Sequence, residues 1–221
     1  MKMIDRICIV LLALLLPLAV MCLSETGVWR VSDTYEYSLK ESEVLNKMHL
    51  DVSEEDVAHT FTKYVNGKTD DFRLVEKTGA VEQELFTEKD EQSMRTIRDY
   101  AGYLLYAGII AFIIAAAAYA RLRIKTKKTT VKTGFHAALA VFICIQAANL
   151  VIRLIDPVRN AVFGWLFSFP DEEGDLLTGI MNGSLPEQFA VFQTIFAVVI
   201  MLILWYISSM ITKPEKIFFR R

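Results

Sequence analysis

Cysteine and histidine are scarce in this chain of 221 residues, which has three of each. The cysteines, Cys8, Cys22 and Cys144, all lie in apolar stretches, so the polar segments have no disulfide framework. No Cys/His spacing is typical of a zinc site, and the sequence predicts no metal and no cofactor. Gly-x-Ser-x-Gly, Ser/His/Asp and phosphate-loop motifs are also absent, which leaves the common hydrolase and nucleotide-binding classes without support.

Long apolar stretches dominate what is present. They cover residues 7–23, 101–120, 134–155 and 189–211. Each can cross a bilayer, because about 20 apolar residues in a helix span a hydrocarbon core about 30 Å thick. Backbone groups in lipid have no water to bind, so such spans are helices. The sequence therefore predicts an all-α membrane protein with four transmembrane helices.

The segments between the spans set the predicted domain organisation. We expect a first transmembrane helix at 1–23, a small helical domain at 24–98, and helices two to four at 99–221 with a loop at 156–188. The first helix has the basic start and apolar run of a signal peptide. Met21 is a poor residue for a cleavage site, so we interpret this helix as an uncleaved signal anchor.

Charge is strongly segregated between these segments. Residues 24–98 carry 17 acids and 10 bases, a net charge of −7. Residues 156–188 carry six acids and one base. The short segment between the second and third spans has six bases and no acid: Arg121, Arg123, Lys125, Lys127, Lys128 and Lys132. Because positive loops stay in the cytoplasm, both termini are expected inside and both acidic segments outside. The basic run is thus interpreted as a topology signal at an anionic leaflet rather than a nucleic-acid site.

Helix signals recur in the 24–98 segment. Ser53 precedes a run of acids and suits an N-cap, and Thr87 with Asp90 resembles a capping box. A further helix is expected over 39–48, and an extended piece or a turn within 74–85. No Gly or Pro occurs from 88 to 100, so the helix that starts after Thr87 is expected to continue into the second span.

A polar stripe interrupts the third span. Gln146, Asn149 and Arg153 lie at i, i+3 and i+7, on one helical face, and Asp156 continues it. A charge within the hydrocarbon is costly unless it is paired or reaches the interface. Two interpretations stay open: Arg153 snorkels outward while the amides join helices, or the stripe lines a polar cavity.

Other polar groups stand at the same predicted height. Glu187 either completes a capping box with Ser184 or faces Arg153. Arg98, just before the second span, either holds lipid headgroup phosphates or solvates the surface. Membrane lipids are therefore the expected partners, and nucleic acid is not.

The order of short motifs resembles a known family. The motifs are Val52-Ser53-Glu54-Glu55-Asp56, Tyr64-Val65-Asn66-Gly67-Lys68, Leu85-Phe86-Thr87-Glu88 leading to Met94, Phe167-Ser168, and Leu185-Pro186-Glu187-x-Phe189. Together they resemble the bacterial integral membrane family of the lipoprotein intramolecular transacylase, Lit. The resemblance implies a bacterial cell-membrane protein with four spans. It also implies diacylglyceryl lipoproteins as substrates, with an acyl chain moved from the glyceryl group to the cysteine amine.

Both family histidines are missing. The family pattern has Glu-x-x-x-His-Met before the second span, whereas this chain has Ser93-Met94; at the second histidine it has Phe163 or a neighbour. Acyl transfer to an amine needs a group that takes and returns a proton, for which histidine is well suited. Three hypotheses follow. The first is a transacylase-like enzyme with Glu187, Asp156 or Ser93 as candidate catalytic residues and Arg98, Gln146, Asn149 and Arg153 binding substrate. The second is an inactive relative that binds lipid or lipoprotein. The third is a membrane scaffold subunit.

Overall fold

The structure, a computed structural model, describes residues 3–78, 81–155, 157–159, 161–162, 176–182 and 185–212. In chain order its elements are α1 (Met3–Trp29), α2 (Ser32–Ser42), α3 (Val44–Lys47), α4 (Glu54–Val65), β1 (Val75–Thr78), β2 (Val81–Glu84), α5 (Glu88–Lys125), α6 (Lys128–Leu154), α7 (Leu176–Asn182) and α8 (Leu185–Ile211). Within these residues, four helices are long and apolar enough to cross a membrane, namely α1, α5, α6 and α8. The predicted all-α membrane fold is confirmed.

Helix α1 lies at the centre of the bundle and packs against α5, α6 and α8. Its buried face includes Leu12, Leu16 and Val20, which join side chains of the other spans in one apolar cluster. The helix continues to Trp29, six residues past the end of its apolar stretch. This extension carries polar side chains into the space between the spans.

Helix α5 is a single rod of 38 residues that begins outside the apolar stretch and runs through it, as the sequence predicts. Its start is fixed by the predicted capping box: the Asp90 amide donates to Thr87 Oγ1 at 3.3 Å, and the Thr87 amide donates to Asp90 Oδ2 at 2.7 Å. Both bonds satisfy amides that have no partner within the helix. The rod therefore sets the position of residues 30–87, here called the interspan domain, relative to the bundle.

The interspan domain contains α2 to α4 and a two-stranded antiparallel hairpin, β1–β2, in which Val75 pairs with Glu84. The hairpin matches the extended piece predicted within 74–85; Gly79, the predicted turn, lies outside the described residues. Ser53 caps α4 as predicted, accepting from the Asp56 amide. The helix predicted over 39–48 is wrong in its continuity, because Glu43 adopts a left-handed φ of 51° and separates α2 from α3.

Aromatic side chains join the interspan domain to the bundle. Phe189 of α8 makes edge-to-face contacts with Trp29 of α1 at 4.6 Å and with Tyr35 of α2 at 5.3 Å between ring centroids. Phe61 of α4 lies 5.2 Å from Tyr35 and extends this cluster into the domain. Such pairs add about 0.5–1.5 kcal/mol each beyond the area they bury. The domain is thus packed onto the same end of the bundle at which α1 ends.

Candidate functional site

The polar stripe of α6 points into the bundle. Gln146 and Arg153 are each 6% exposed, and Asn149 between them is half-buried. Their spacing places all three on one helix face, and that face is turned toward α1 and α8. The two amides join helices, as the first interpretation of the stripe expects, whereas Arg153 is turned into the bundle and does not snorkel outward.

Gln193 of α8 connects three spans through its amide group. The side chain is 0% exposed, and its Oε1 accepts from Gln146 Nε2 at 3.1 Å and from Asn149 Nδ2 at 3.0 Å. Its Nε2 donates to Ser24 Oγ of α1 at 2.9 Å. Gln146 also donates to Thr194 Oγ1 at 2.6 Å. A buried amide is costly unless its donors and acceptors are satisfied, so Gln193 holds α1, α6 and α8 in one register.

Arg153 ends the stripe in a buried ion pair with Glu25 of α1. One terminal nitrogen of the guanidinium donates to Glu25 Oε2 at 2.6 Å, and Arg153 Nε donates to Asn149 Oδ1 at 3.1 Å. The side chains of Arg153 and Glu25 are only 7% and 9% exposed. Glu25 Oε1 accepts from the Trp29 indole at 2.9 Å. These groups and those bound to Gln193 form one polar network across the bundle.

The network borders a shallow cleft of about 130 Å³ between α1, α5 and α6. The cleft, here called the Glu25 cleft, is lined by Met21, Cys22, Glu25, Tyr100, Leu104, Asn149 and Arg153. The lining presents a carboxylate, a guanidinium, an amide and a phenol, together with Met21, Cys22 and Leu104. This arrangement can hold a polar group against charges while an attached hydrocarbon chain lies along the helices.

Trp29 and Tyr35 close the end of the network nearest the interspan domain. The fully buried Tyr35 hydroxyl donates to the Trp29 carbonyl at 2.9 Å. Burial, and secondarily the charge of Glu25, raises the pKa of Tyr35 well above its usual value. The phenol is therefore a fixed neutral donor, which makes it suited to structural support rather than proton transfer at neutral pH.

The sequence-predicted site residues do not all meet here. Gln146, Asn149 and Arg153 do. Glu187, on an exposed part of α8, pairs with Arg159 at 3.7 Å, so the interpretation that it faces Arg153 is wrong and Glu25 holds that position. Arg98 packs over the Tyr64 ring at 4.7 Å and pairs with Asp70 at 3.8 Å.

The proposed catalytic positions are placed as follows. Ser93 is buried in the second turn of α5, 6% exposed, and is not among the residues that line the Glu25 cleft. Asp156 and Phe163 lie outside the described residues. Of the histidines, His59 pairs with Glu55 at 3.5 Å on an exposed face of α4. His136 lies on α6 near the opposite end of the bundle.

Sequence reasoning missed Glu25 and Gln193, the two residues that organise the network. Glu25 follows the first apolar stretch by two residues with no helix breaker between, which was a usable signal that it stays helical. Gln193 lies within the fourth apolar stretch, and a polar residue there usually faces a neighbouring helix. No family model, curated protein or solved structure matches the chain.

Proposed function

We propose that this protein binds the acylated end of a lipoprotein, or a membrane lipid of similar shape, in the Glu25 cleft. The observation that carries the proposal is the buried Arg153–Glu25 pair in the lining of a cleft that also has apolar residues. Buried ion pairs contribute little to stability compared with apolar packing, so the presence of one in a span favours a binding role. The ester carbonyls and α-amine of a diacylglyceryl cysteine are groups that a guanidinium and a carboxylate recognise.

The charge pattern supports a site at the outer leaflet of a bacterial cell membrane. Residues 121–132, which join α5 to α6, carry six bases and no acid, and the polar network lies at the other end of these helices. By the positive-inside rule that loop and both termini are cytoplasmic, and the interspan domain is extracytoplasmic. Lipoprotein acyl chains stay in the outer half of the bilayer while the peptide emerges, which suits a cleft at this depth. The resemblance to the Lit family also implies a diacylglyceryl lipoprotein as the ligand.

Binding without chemistry is the first candidate, because the groups in the cleft are already engaged. Both Glu25 oxygens accept hydrogen bonds, one from Trp29 and one from Arg153. No histidine is among the residues that line the cleft. Acyl transfer needs a group that accepts a proton from the attacking amine, and the Glu25 carboxylate in this cleft is already bound to Trp29 and Arg153.

Intramolecular acyl transfer is the second candidate, favoured by a carboxylate and a phenol, Glu25 and Tyr100, in the same cleft. In this reaction the cysteine amine attacks the ester carbonyl and forms an amide. The ester bond breaks, and the glyceryl oxygen leaves as a hydroxyl with the amine's proton. Glu25 would carry the proton between the two, and Arg153 would stabilise the oxyanion. A scaffold role without ligand is the remaining alternative.

A steric block tests the binding proposal. Leu104→Trp places an indole in the cleft, whereas Leu105→Trp, one residue along α5, adds the same bulk away from the lining. Photocrosslinking of a synthetic diacylglyceryl lipopeptide to the purified full chain should fall sharply for Leu104→Trp and stay near the wild-type value for Leu105→Trp. Equal crosslinking by both variants would reject the cleft as the site.

Mass spectrometry separates binding from catalysis. The chain is expressed in a bacterium without its own N-acylating enzymes, and the N-terminal lipopeptide of a lipoprotein is weighed. Unchanged diacylglyceryl cysteine, together with crosslinking, supports a binder. An acyl chain on the amine supports the enzyme, and Glu25→Gln should then abolish the transfer. If neither an N-acylated product nor a crosslinked lipopeptide is found, the scaffold role is the hypothesis that remains.

A further inference from the structure

A second cavity, of about 220 Å³, lies at the opposite end of the bundle between α6 and α8. Helix α6 contributes Lys132 and His136 to its lining. Helix α8 contributes Trp205 and Ser209, and Thr212 follows directly after α8. Lys132 and His136 are four residues apart on one helix face, and Trp205, Ser209 and Thr212 likewise share a face of α8. The Lys132 cavity, as it is called below, is about 30 Å from Arg153 along α6, at 1.5 Å per residue, and is thus separate from the Glu25 cleft.

The chemistry of this lining suits a phosphate. Lys132 supplies an ammonium, His136 an imidazole, and Ser209 a hydroxyl, and the Lys132 and His136 side chains are exposed rather than engaged in the bundle. Ser208 beside them is held by a 3.2 Å hydrogen bond from the Tyr119 hydroxyl of α5, which fixes this wall of the cavity. The six bases and no acids of residues 121–132 add a positive field at its mouth.

The position of the cavity favours a phosphate that belongs to a lipid. Trp205 is 44% exposed beside the cavity, and indoles concentrate where the hydrocarbon meets the headgroups. Phe135 forms an apolar, buried part of the lining, while Leu202, Ile203 and Ile207 on α8 are exposed along the route that acyl chains would take. A soluble phosphate has no hydrocarbon chain that could contact these apolar side chains.

We infer that the Lys132 cavity binds the phosphodiester headgroup of an anionic membrane lipid. The ammonium of Lys132 pairs with the phosphate, Ser209 donates to it, and the acyl chains follow the exposed face of α8. Basic pockets between spans at the positively charged end of a bundle are where such headgroups are bound. The site is independent of the Glu25 cleft, so it stands or falls separately from the function proposed above.

Lipid titration of the full-length protein in detergent tests the inference. Dioleoyl phosphatidylglycerol should bind more tightly than dioleoyl phosphatidylcholine, as measured by native mass spectrometry. Lys132→Gln should weaken phosphatidylglycerol binding by at least about tenfold, the usual effect of losing a hydrogen bond to a charged group. Lys132→Arg, which keeps the charge, should restore most of the affinity.

Lys125→Gln is the matched control. It removes one positive charge from the same basic segment, at an exposed side chain outside the cavity lining. Its effect should be below about threefold, since a charge outside the cavity acts on the headgroup only through a screened field. Equal losses for Lys125→Gln and Lys132→Gln would overturn the site and assign the binding to the basic loop as a whole. Full competition by glycerol 3-phosphate at the same concentrations would overturn the lipid assignment in favour of a free phosphate.

Discussion

The guanidinium of Arg153 donates to the Glu25 carboxylate at 2.6 Å across 128 residues of sequence, and both side chains are buried. The contact joins the central helix α1 to α6 at the depth where the Glu25 cleft opens. The contact explains how Arg153 is accommodated within a span, because the neighbouring helix supplies a charge of opposite sign.

The first prediction concerns this pair. Glu25→Gln and Arg153→Met should each lower the free energy of unfolding by about 3–5 kcal/mol, because each leaves a buried charge unpaired. The double variant should lose much less than the sum of the two, since no unpaired charge remains. Reversible unfolding in mixed micelles gives the free energy of unfolding of the wild type, the two single variants and the double variant.

The exposed pair of Lys40 and Glu36, 2.5 Å apart, is the control for the cycle. Lys40→Gln should leave the unfolding transition unchanged, because exposed ion pairs are weak and screened. Additive losses in the Glu25/Arg153 cycle would show that the two charges do not depend on each other.

The second prediction concerns the approach of α1 to α5. A Cβ at Gly108 would lie 3.0 Å from Leu23 Cγ and 3.1 Å from Cys22 Cβ, whereas a Cβ at Gly102 would meet nothing within 4 Å. Gly108→Ala should therefore destabilise the fold by about 1–3 kcal/mol through overpacking. Gly102→Ala should stabilise it by up to about 1 kcal/mol, because Ala is the better helix former. Opposite shifts in thermal unfolding would confirm the close contact, and two shifts of the same sign would refute it.

The third prediction uses Cys22 as a reporter of the Glu25 cleft. Cys22 is buried, 7% exposed, but lines the cleft, whereas Cys144 is exposed on α6 and Cys8 is buried in the apolar core. In a Cys8→Ala/Cys144→Ala background, a membrane-impermeant maleimide added to intact cells should label Cys22 slowly, because the thiol is reached only through the cleft. Leu104→Trp should slow the labelling and Leu105→Trp should not. Labelling only after cells are opened would reverse the proposed orientation.

The fourth prediction concerns alkaline pH. The pKa of Tyr35 is raised in the folded state, by burial first and by the charge of Glu25 second. Stability from the protonated phenol is therefore fully present below the unfolded value, near 10, and is lost as pH rises from there toward the folded pKa. The unfolding temperature should fall more steeply for wild type than for Tyr35→Phe between about pH 9 and about pH 11. Parallel curves would exclude Tyr35 as the group responsible.

Local signals in the sequence were sufficient for much of the fold. The capping box of Thr87 and Asp90 and the absence of Gly and Pro after it predict the long rod of α5, because both act within a few residues. The spacing of Gln146, Asn149 and Arg153 predicts a common face. The break at Glu43 was not predicted, since a left-handed φ at a non-glycine residue is imposed by tertiary packing and leaves no composition signal.

The centre of the site was less predictable, for a physical reason. Hydropathy ends the first span at residue 23, yet α1 stays helical through Glu25 and Trp29 because their polar groups are bound to each other and to Arg153. Such bonds depend on which helices are neighbours, and that order follows from packing rather than from one segment's composition. Gln193 was missed for the same reason.

The central place of α1 has a consequence for biogenesis. It precedes its three neighbours along the chain, so newly made α1 must reside in lipid while their synthesis continues. During that interval the carboxylate of Glu25 has no counter-charge from Arg153, and the amide of Gln193 has not reached Ser24. Docking of the third and fourth spans then supplies both partners, so a chain that ends before them keeps an unpaired carboxylate in its first helix.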